Sequence, residues 1–99
     1  MAQTIFHLWL LKPTEAWYQL SKEEQDNLFA KAGEALAQVG GKEVLTCSSR
    51  WASEEWPYWG VEQYPDLEAV QKHDELLAAF NWYRYGESWT LLGSEMQPS

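Results

Sequence analysis

Residues 64–80, YPDLEAVQKHDELLAAF, decide how this chain is read. Pro65 and Asp66 open a helix, with the Asp66 carboxylate placed to accept from the orphan amides of the first turn. Glu68 adds negative charge where the helix dipole favours it. At about 3.6 residues per turn, Leu67, Val70, Leu77 and Phe80 share one side, with Ala69 and Leu76 at its edge. His73 lies inside that apolar arc, one turn after Val70 and one before Leu77. Buried histidines are uncommon and titrate near neutrality, so His73 is the first candidate for chemistry. The plainer reading is a core-edge histidine bonded to a backbone carbonyl or a strand side chain.

Outward from this helix, Trp56 to Tyr64 reads as an aromatic and valine-containing strand, in which Pro57 marks a sheet edge or a strand start. It is predicted to pair as a hairpin with Lys42 to Trp51 across a turn at Ala52 to Glu55. Before that hairpin, Ser21 and Glu24 form a capping box. It opens a helix with an apolar stripe of Leu28, Phe29, Ala32, Ala35, Leu36 and Val39, stopped by Gly40-Gly41. A short helical turn, TEAWYQL (14–20), precedes it. Thr4 to Leu11 is a buried strand with Phe6, Leu8 and Leu10 on one face and Ile5, His7, Trp9 and Leu11 on the other; Pro13 ends it. After the His73 helix, Trp82 to Leu92 is predicted as a fourth strand, with Tyr83, Tyr85 and Trp89 on one face and Trp82 and Arg84 on the other. Gly93 to Ser99 reads as a frayed tail.

The order is βαββαβ, the ferredoxin-like α+β arrangement: a four-stranded antiparallel sheet with both helices on one face. Residues 1–99 are expected to form a single domain. The opposite sheet face carries large apolar residues in either register, so a twofold homodimer with sheets packed face to face is expected.

Composition narrows the function. A net charge of −8 with seven Lys and Arg disfavours nucleic acid and anionic membrane surfaces as partners. No window is long and apolar enough to span a membrane, and Ile5 to Leu11 lacks the basic flank and cleavage site of a signal peptide. A cytoplasmic location is therefore expected. Cys47 is the only cysteine, which excludes an internal disulfide and a cysteine-built metal site; it reads as a small hydrophobe on a strand. Two histidines without a ready carboxylate triad make a weak metal site, and no metal is expected. His73 and Asp74 are adjacent, so on a helix they point about a hundred degrees apart and form no dyad. Seven Trp, five Tyr and three Phe supply more ring surface than a small core requires. They suit a core, an apolar pocket and a subunit interface together.

The aromatic third strand followed by YPDLEAVQKH (64–73) resembles the dimeric α+β barrel superfamily, which includes antibiotic-biosynthesis-type and heme-degrading monooxygenases. Heme-degrading members use a polar residue on the first strand, a tryptophan on the third and an iron-ligating histidine on the second helix. The matching positions are His7, Trp59 (or its neighbour Trp56) and His73, although His7 stands where asparagine is usual. Apart from Arg50 and Arg84 there is no basic cluster for propionates, so no cofactor is expected. In the cofactor-independent monooxygenases of the superfamily, an electron-rich aromatic substrate lies between helices and sheet. The resemblance implies His73, His7 and Trp59 as the catalytic set, with Tyr83, Tyr85 and Arg50 around an apolar or aromatic small molecule. The second functional class is a non-catalytic dimer that binds a small ligand or another protein.

Overall fold

The computed structural model describes residues 3–96. Its elements are β1 (Ile5–Pro13), α1 (Glu15–Tyr18), α2 (Lys22–Gln38), β2 (Lys42–Ser48), β3 (Tyr58–Tyr64), α3 (Leu67–Ala79), α4 (Trp82–Tyr85) and β4 (Gly86–Gly93). The strands form one four-stranded antiparallel sheet in the order β2-β3-β1-β4. This is the ferredoxin-like α+β fold, because each parallel pair linked through a helix is separated by a strand running the other way.

Local chemistry explains the helix boundaries. Ser21 accepts from the Glu24 amide at 3.1 Å while the Glu24 carboxylate accepts from the Ser21 amide at 2.9 Å, closing both ends of the capping box. Gly40 takes a left-handed φ of 79° where α2 stops. Asp66 accepts from the Ala69 amide at 2.7 Å, which fixes the first turn of α3 and so the direction in which Ala69, His73 and Leu77 face. Those three are the buried residues of α3. The core joins Leu36, Tyr64 and Ala69, with Ile5, Val39 and Val70 packed around them.

The sheet register settles which face of β1 meets the helices. Ile5 pairs with Tyr64, His7 with Glu62, Trp9 with Gly60 and Leu11 with Tyr58. Directly opposed residues share a face, and Tyr64 belongs to the helix-side core, so His7 and Trp9 lie under the helices. Phe6, Leu8 and Leu10 project from the other face. There they are joined by Leu45, Cys47, Trp59, Val61, Trp89 and Leu91.

Three expectations are corrected. β2 stops at Ser48 and β3 starts at Tyr58, because residues 49–57 fold into a loop tied by Ser49 N–H to Pro57 O (2.8 Å) and Trp56 N–H to Ser53 Oγ (3.0 Å). Of the two readings of Pro57 the strand start holds, since it immediately precedes β3, a central strand. Trp82 to Tyr85 is a helical turn, not strand: Asn81 adopts a left-handed φ of 59°, and Thr14 binds the Arg84 carbonyl through Oγ1 (2.7 Å) and the Tyr85 carbonyl through N–H (3.1 Å). Tyr83 and Tyr85 accordingly do not share a strand face with Trp89. Gly93 closes β4 instead of opening a tail, and the tail's residues 97–99 lie outside those described.

Candidate functional site

A continuous polar chain crosses the layer between sheet and α3. His7 Nδ1 lies 3.0 Å from Glu62 Oε1. Tyr64 Oη donates to the same Glu62 oxygen at 2.8 Å and lies 2.8 Å from His73 Nδ1. Each member is placed by regular structure. His7 and Glu62 are cross-strand partners, Glu62 and Tyr64 share a strand face two residues apart, and His73 comes down from α3. The chain runs from a rim, where the His7 and Glu62 side chains are each 17% exposed, to an interior where Tyr64 is 1% and His73 6% exposed.

The far nitrogen, His73 Nε2, is buried without a hydrogen-bond partner among the described residues. Trp9 Nε1, on the same sheet face, is likewise buried and unpartnered. Buried polar atoms are paired in the great majority of cases, so two orphans in one layer, one able to accept and one able to donate, are the notable feature of this region. Trp9 packs against Gly60: a Cβ at that position would lie 2.5 Å from the indole, so only glycine leaves room for the ring.

Electrostatics follow from burial and from this chain. Burial pulls the Glu62 carboxyl upward, but hydrogen bonds from His7 and Tyr64 outweigh it and hold the group below its ordinary range. Burial lowers the His73 imidazole below its ordinary value, with Glu62 partly opposing the shift. Burial and the neighbouring Glu62 charge push the Tyr64 hydroxyl well above the usual range. At neutral pH the arrangement is an ionised Glu62, a neutral Tyr64 and a neutral His73.

The structure brings His7 and His73 together through Glu62 and Tyr64. It does not bring Trp59 to them. Trp59 pairs with Leu10 and Cys47 and projects from the uncovered face. Tyr83 donates to Asp74 on the outer side of α3, and burial with that contact pushes its hydroxyl upward. Tyr85 lines a cleft of about 280 Å³ with Leu20, Glu24, Leu28, Lys31 and Phe80. A second cleft of about 280 Å³ sits between the end of α2 and the start of α3. His73 lines neither. Arg50 is exposed in the loop after β2. Glu62, Tyr64 and Trp9 were not singled out by the sequence. The available signal was strand alternation, which puts Glu62 on the same face as Tyr64, whose chain leads directly into the His73 helix. No group of three or more metal-ligating side chains is assembled among the described residues. Nor is any of their helices long and apolar enough to cross a membrane.

With this geometry in view, the chain was compared with known proteins. A family model matches residues 3–99. The chain belongs to the family of unknown function DUF6616. No curated protein matches it in sequence. Among solved structures, this DUF6616 member is similar to a mutant chlorite dismutase from Candidatus Nitrospira defluvii (TM-score 0.75, 16% identity), covering 100% of this chain and 43% of the other. It is also similar to a heme-binding protein from Thermus thermophilus (TM-score 0.71, 19% identity), covering 94% and 40%. A third is SnoaB, a cofactor-independent oxygenase from Streptomyces nogalater (TM-score 0.61, 16% identity), covering 98% and 97%. The chain thus spans less than half of the first two neighbours. At these identities the likeness establishes the fold and leaves the chemistry to be argued from the site.

Proposed function

We propose that this protein is a small-molecule enzyme in which His73 Nε2 removes a proton from an electron-rich hydroxylated aromatic substrate. The observation that carries the reading is the buried, unpartnered Nε2 beside an imidazole whose other nitrogen is already engaged. A neutral imidazole in a water-poor layer is a competent base near neutral pH. Its lowered proton affinity keeps it unprotonated until substrate arrives. The Trp9 indole N–H, orphaned on the same face, supplies a donor for the phenolate oxygen that forms. Once ionised, such a ring is electron-rich enough to react with O2. A ring C–H becomes C=O, one oxygen atom enters the product, the other leaves as water, and all the electrons come from the substrate. The oxygen step is supported by the description of the SnoaB neighbour, and the proton step by this chain's own residues.

Access requires movement of α3 or α2, since His73 is 6% exposed and lines neither cleft. The same enclosure bears on heme, which one structural neighbour is described as binding. His73 Nε2 is the atom that would bind heme iron. The charged groups that bear on it are Glu62, Asp74 and His7, with no lysine or arginine among them to take a propionate, so the residues present do not fit heme.

The uncovered sheet face supports a second copy of this chain as a partner. Trp89, Leu91 and Leu45 are 53%, 52% and 41% exposed there, a contiguous apolar surface of the kind that marks an interface.

The test is optical. With 1-naphthol as probe, the protein should show the naphtholate absorption at a pH where the free probe is un-ionised, and consume O2 as naphthoquinone forms. His73→Ala, checked for folding by circular dichroism, should abolish both. A naphthol spectrum indifferent to the protein, or one equally perturbed by His73→Ala, overturns the reading.

A further inference from the structure

We infer that Glu62 is the positioning residue of this site: acting through Tyr64, and held in place by His7, it sets His73 with its proton on Nδ1 and its lone pair on Nε2. The inference rests on the proposed role of His73 as base, and deepens it by saying what makes Nε2 the reactive atom.

An ionised carboxylate has no proton to give, so both contacts at Glu62 Oε1 must be donations to it, from His7 Nδ1–H at 3.0 Å and from the Tyr64 hydroxyl at 2.8 Å. A hydroxyl has one hydrogen, and Glu62 takes it. At the 2.8 Å contact between Tyr64 Oη and His73 Nδ1, the tyrosine oxygen can therefore only accept, and His73 must donate. A neutral imidazole carrying its proton on Nδ1 has a bare Nε2. That nitrogen is the one left buried without a partner. A histidine serving packing alone would satisfy both nitrogens, and this one is tied on one side and open on the other.

The same chain answers the charge that appears when Nε2 takes a proton. The imidazolium would form at a site whose burial disfavours it, and Glu62 lies behind it at the rim, separated by one hydroxyl. The charged and titratable groups around His73 are His7 from β1 and Glu62 and Tyr64 from β3 on its own side, with Asp74 and its partner Tyr83 from α4 on the outer side of the helix. Tyr64 is the one bonded directly to the ring, and through its hydroxyl Glu62 is the nearest carboxylate joined to it, while Asp74 is engaged by Tyr83 on the other side of the helix. His7 matters one step further back, because its donation helps keep Glu62 ionised while partly buried.

The experiment needs no substrate. Nitrogen-15 labelling of the histidines in the full chain reports, for each ring nitrogen, whether it carries hydrogen. The expected wild-type result is His73 protonated on Nδ1 and bare on Nε2 at neutral pH. In Glu62→Leu, the Tyr64 hydroxyl loses its acceptor and turns to His73 Nδ1, so the ring proton moves to Nε2. Glu62→Gln keeps an acceptor oxygen and so restores the wild-type proton position, but without the charge the His73 titration midpoint falls. If Glu62→Leu fails to fold, the Glu62→Gln midpoint still decides. An unchanged proton position in Glu62→Leu with an unchanged midpoint in Glu62→Gln overturns the inference. A wild-type His73 protonated on Nε2 overturns it together with the base reading. A wild-type ring protonated on Nδ1 that nevertheless fails the naphthol test leaves the positioning role standing and removes only the catalytic one.

Discussion

The two faces of the sheet invert the usual arrangement. The face covered by helices, where apolar side chains are normally expected, carries His7, Glu62 and the Tyr64 hydroxyl, a charge and its partners held between layers. The face left open carries Phe6, Leu8, Leu10, Trp59, Val61 and Leu91. Desolvating a carboxylate is costly and exposing a broad apolar surface is unfavourable, so neither face is explained by the stability of one isolated chain. Under the proposed function the covered face serves chemistry and the open one contact.

The largest expected effect breaks the open side of this contrast. Leu91→Glu places a charge where a second copy would bury it, at a position already half exposed, so the single chain should keep its fold. An unpaired buried charge costs about 3 kcal/mol or more, so self-association should weaken more than a hundredfold. Light scattering should then give the mass of one chain in place of two. A mass unaffected by the substitution would mean that this face is not the interface.

Next comes the covered side. Tyr64→Phe leaves both Glu62 and His73 Nδ1 short of a partner, and should cost about 1–3 kcal/mol in chemical denaturation. A change near zero would show that the polar chain is too loosely held to position anything. Acid should sharpen the same point. The unfolded chain takes up a proton at His73 near the ordinary 6.5, while the fold resists it, so stability is full above that value and falls as the pH drops below it. Glu62, held below its ordinary 4.5, adds a second loss as the pH falls from there through its folded value. His73→Gln should remove the first loss and keep the second in melts run across that range. A single loss common to both proteins would contradict the neutral, buried state of His73.

The smallest effect concerns Trp9. Its indole N–H already lacks a partner, so Trp9→Phe forfeits no hydrogen bond within the protein and should shift stability by less than about 1 kcal/mol. It should weaken naphthol binding all the same. A large loss of stability would mean that the indole is needed for packing alone.

Much of the frame could be read before any coordinates. The capping box at Ser21, the glycine stop at Gly40 and the Asp66 cap depend on local geometry, and local geometry is written in neighbouring residues. The parity of β1 was not legible, because both of its faces are apolar and alternation gives no preference between them. Register against β3 decides it, and register is a long-range property. Trp82 to Tyr85 has the aromatic composition of a strand but is held as a helical turn by Thr14, nearly seventy residues earlier, an instance of tertiary contact overriding propensity. His73 could be picked out as a histidine on an apolar arc. Glu62 could not, since a lone glutamate in a strand looks like an exposed residue until its cross-strand partner proves to be His7.

Cys47 sits opposite Trp59 on the open face and is partly buried. That position makes the single thiol a natural clock. In the assembly proposed above a second copy would cover it, so in dilute protein an alkylating reagent should meet it quickly and in concentrated protein slowly. The dependence of that rate on protein concentration would give the dissociation constant of the proposed assembly.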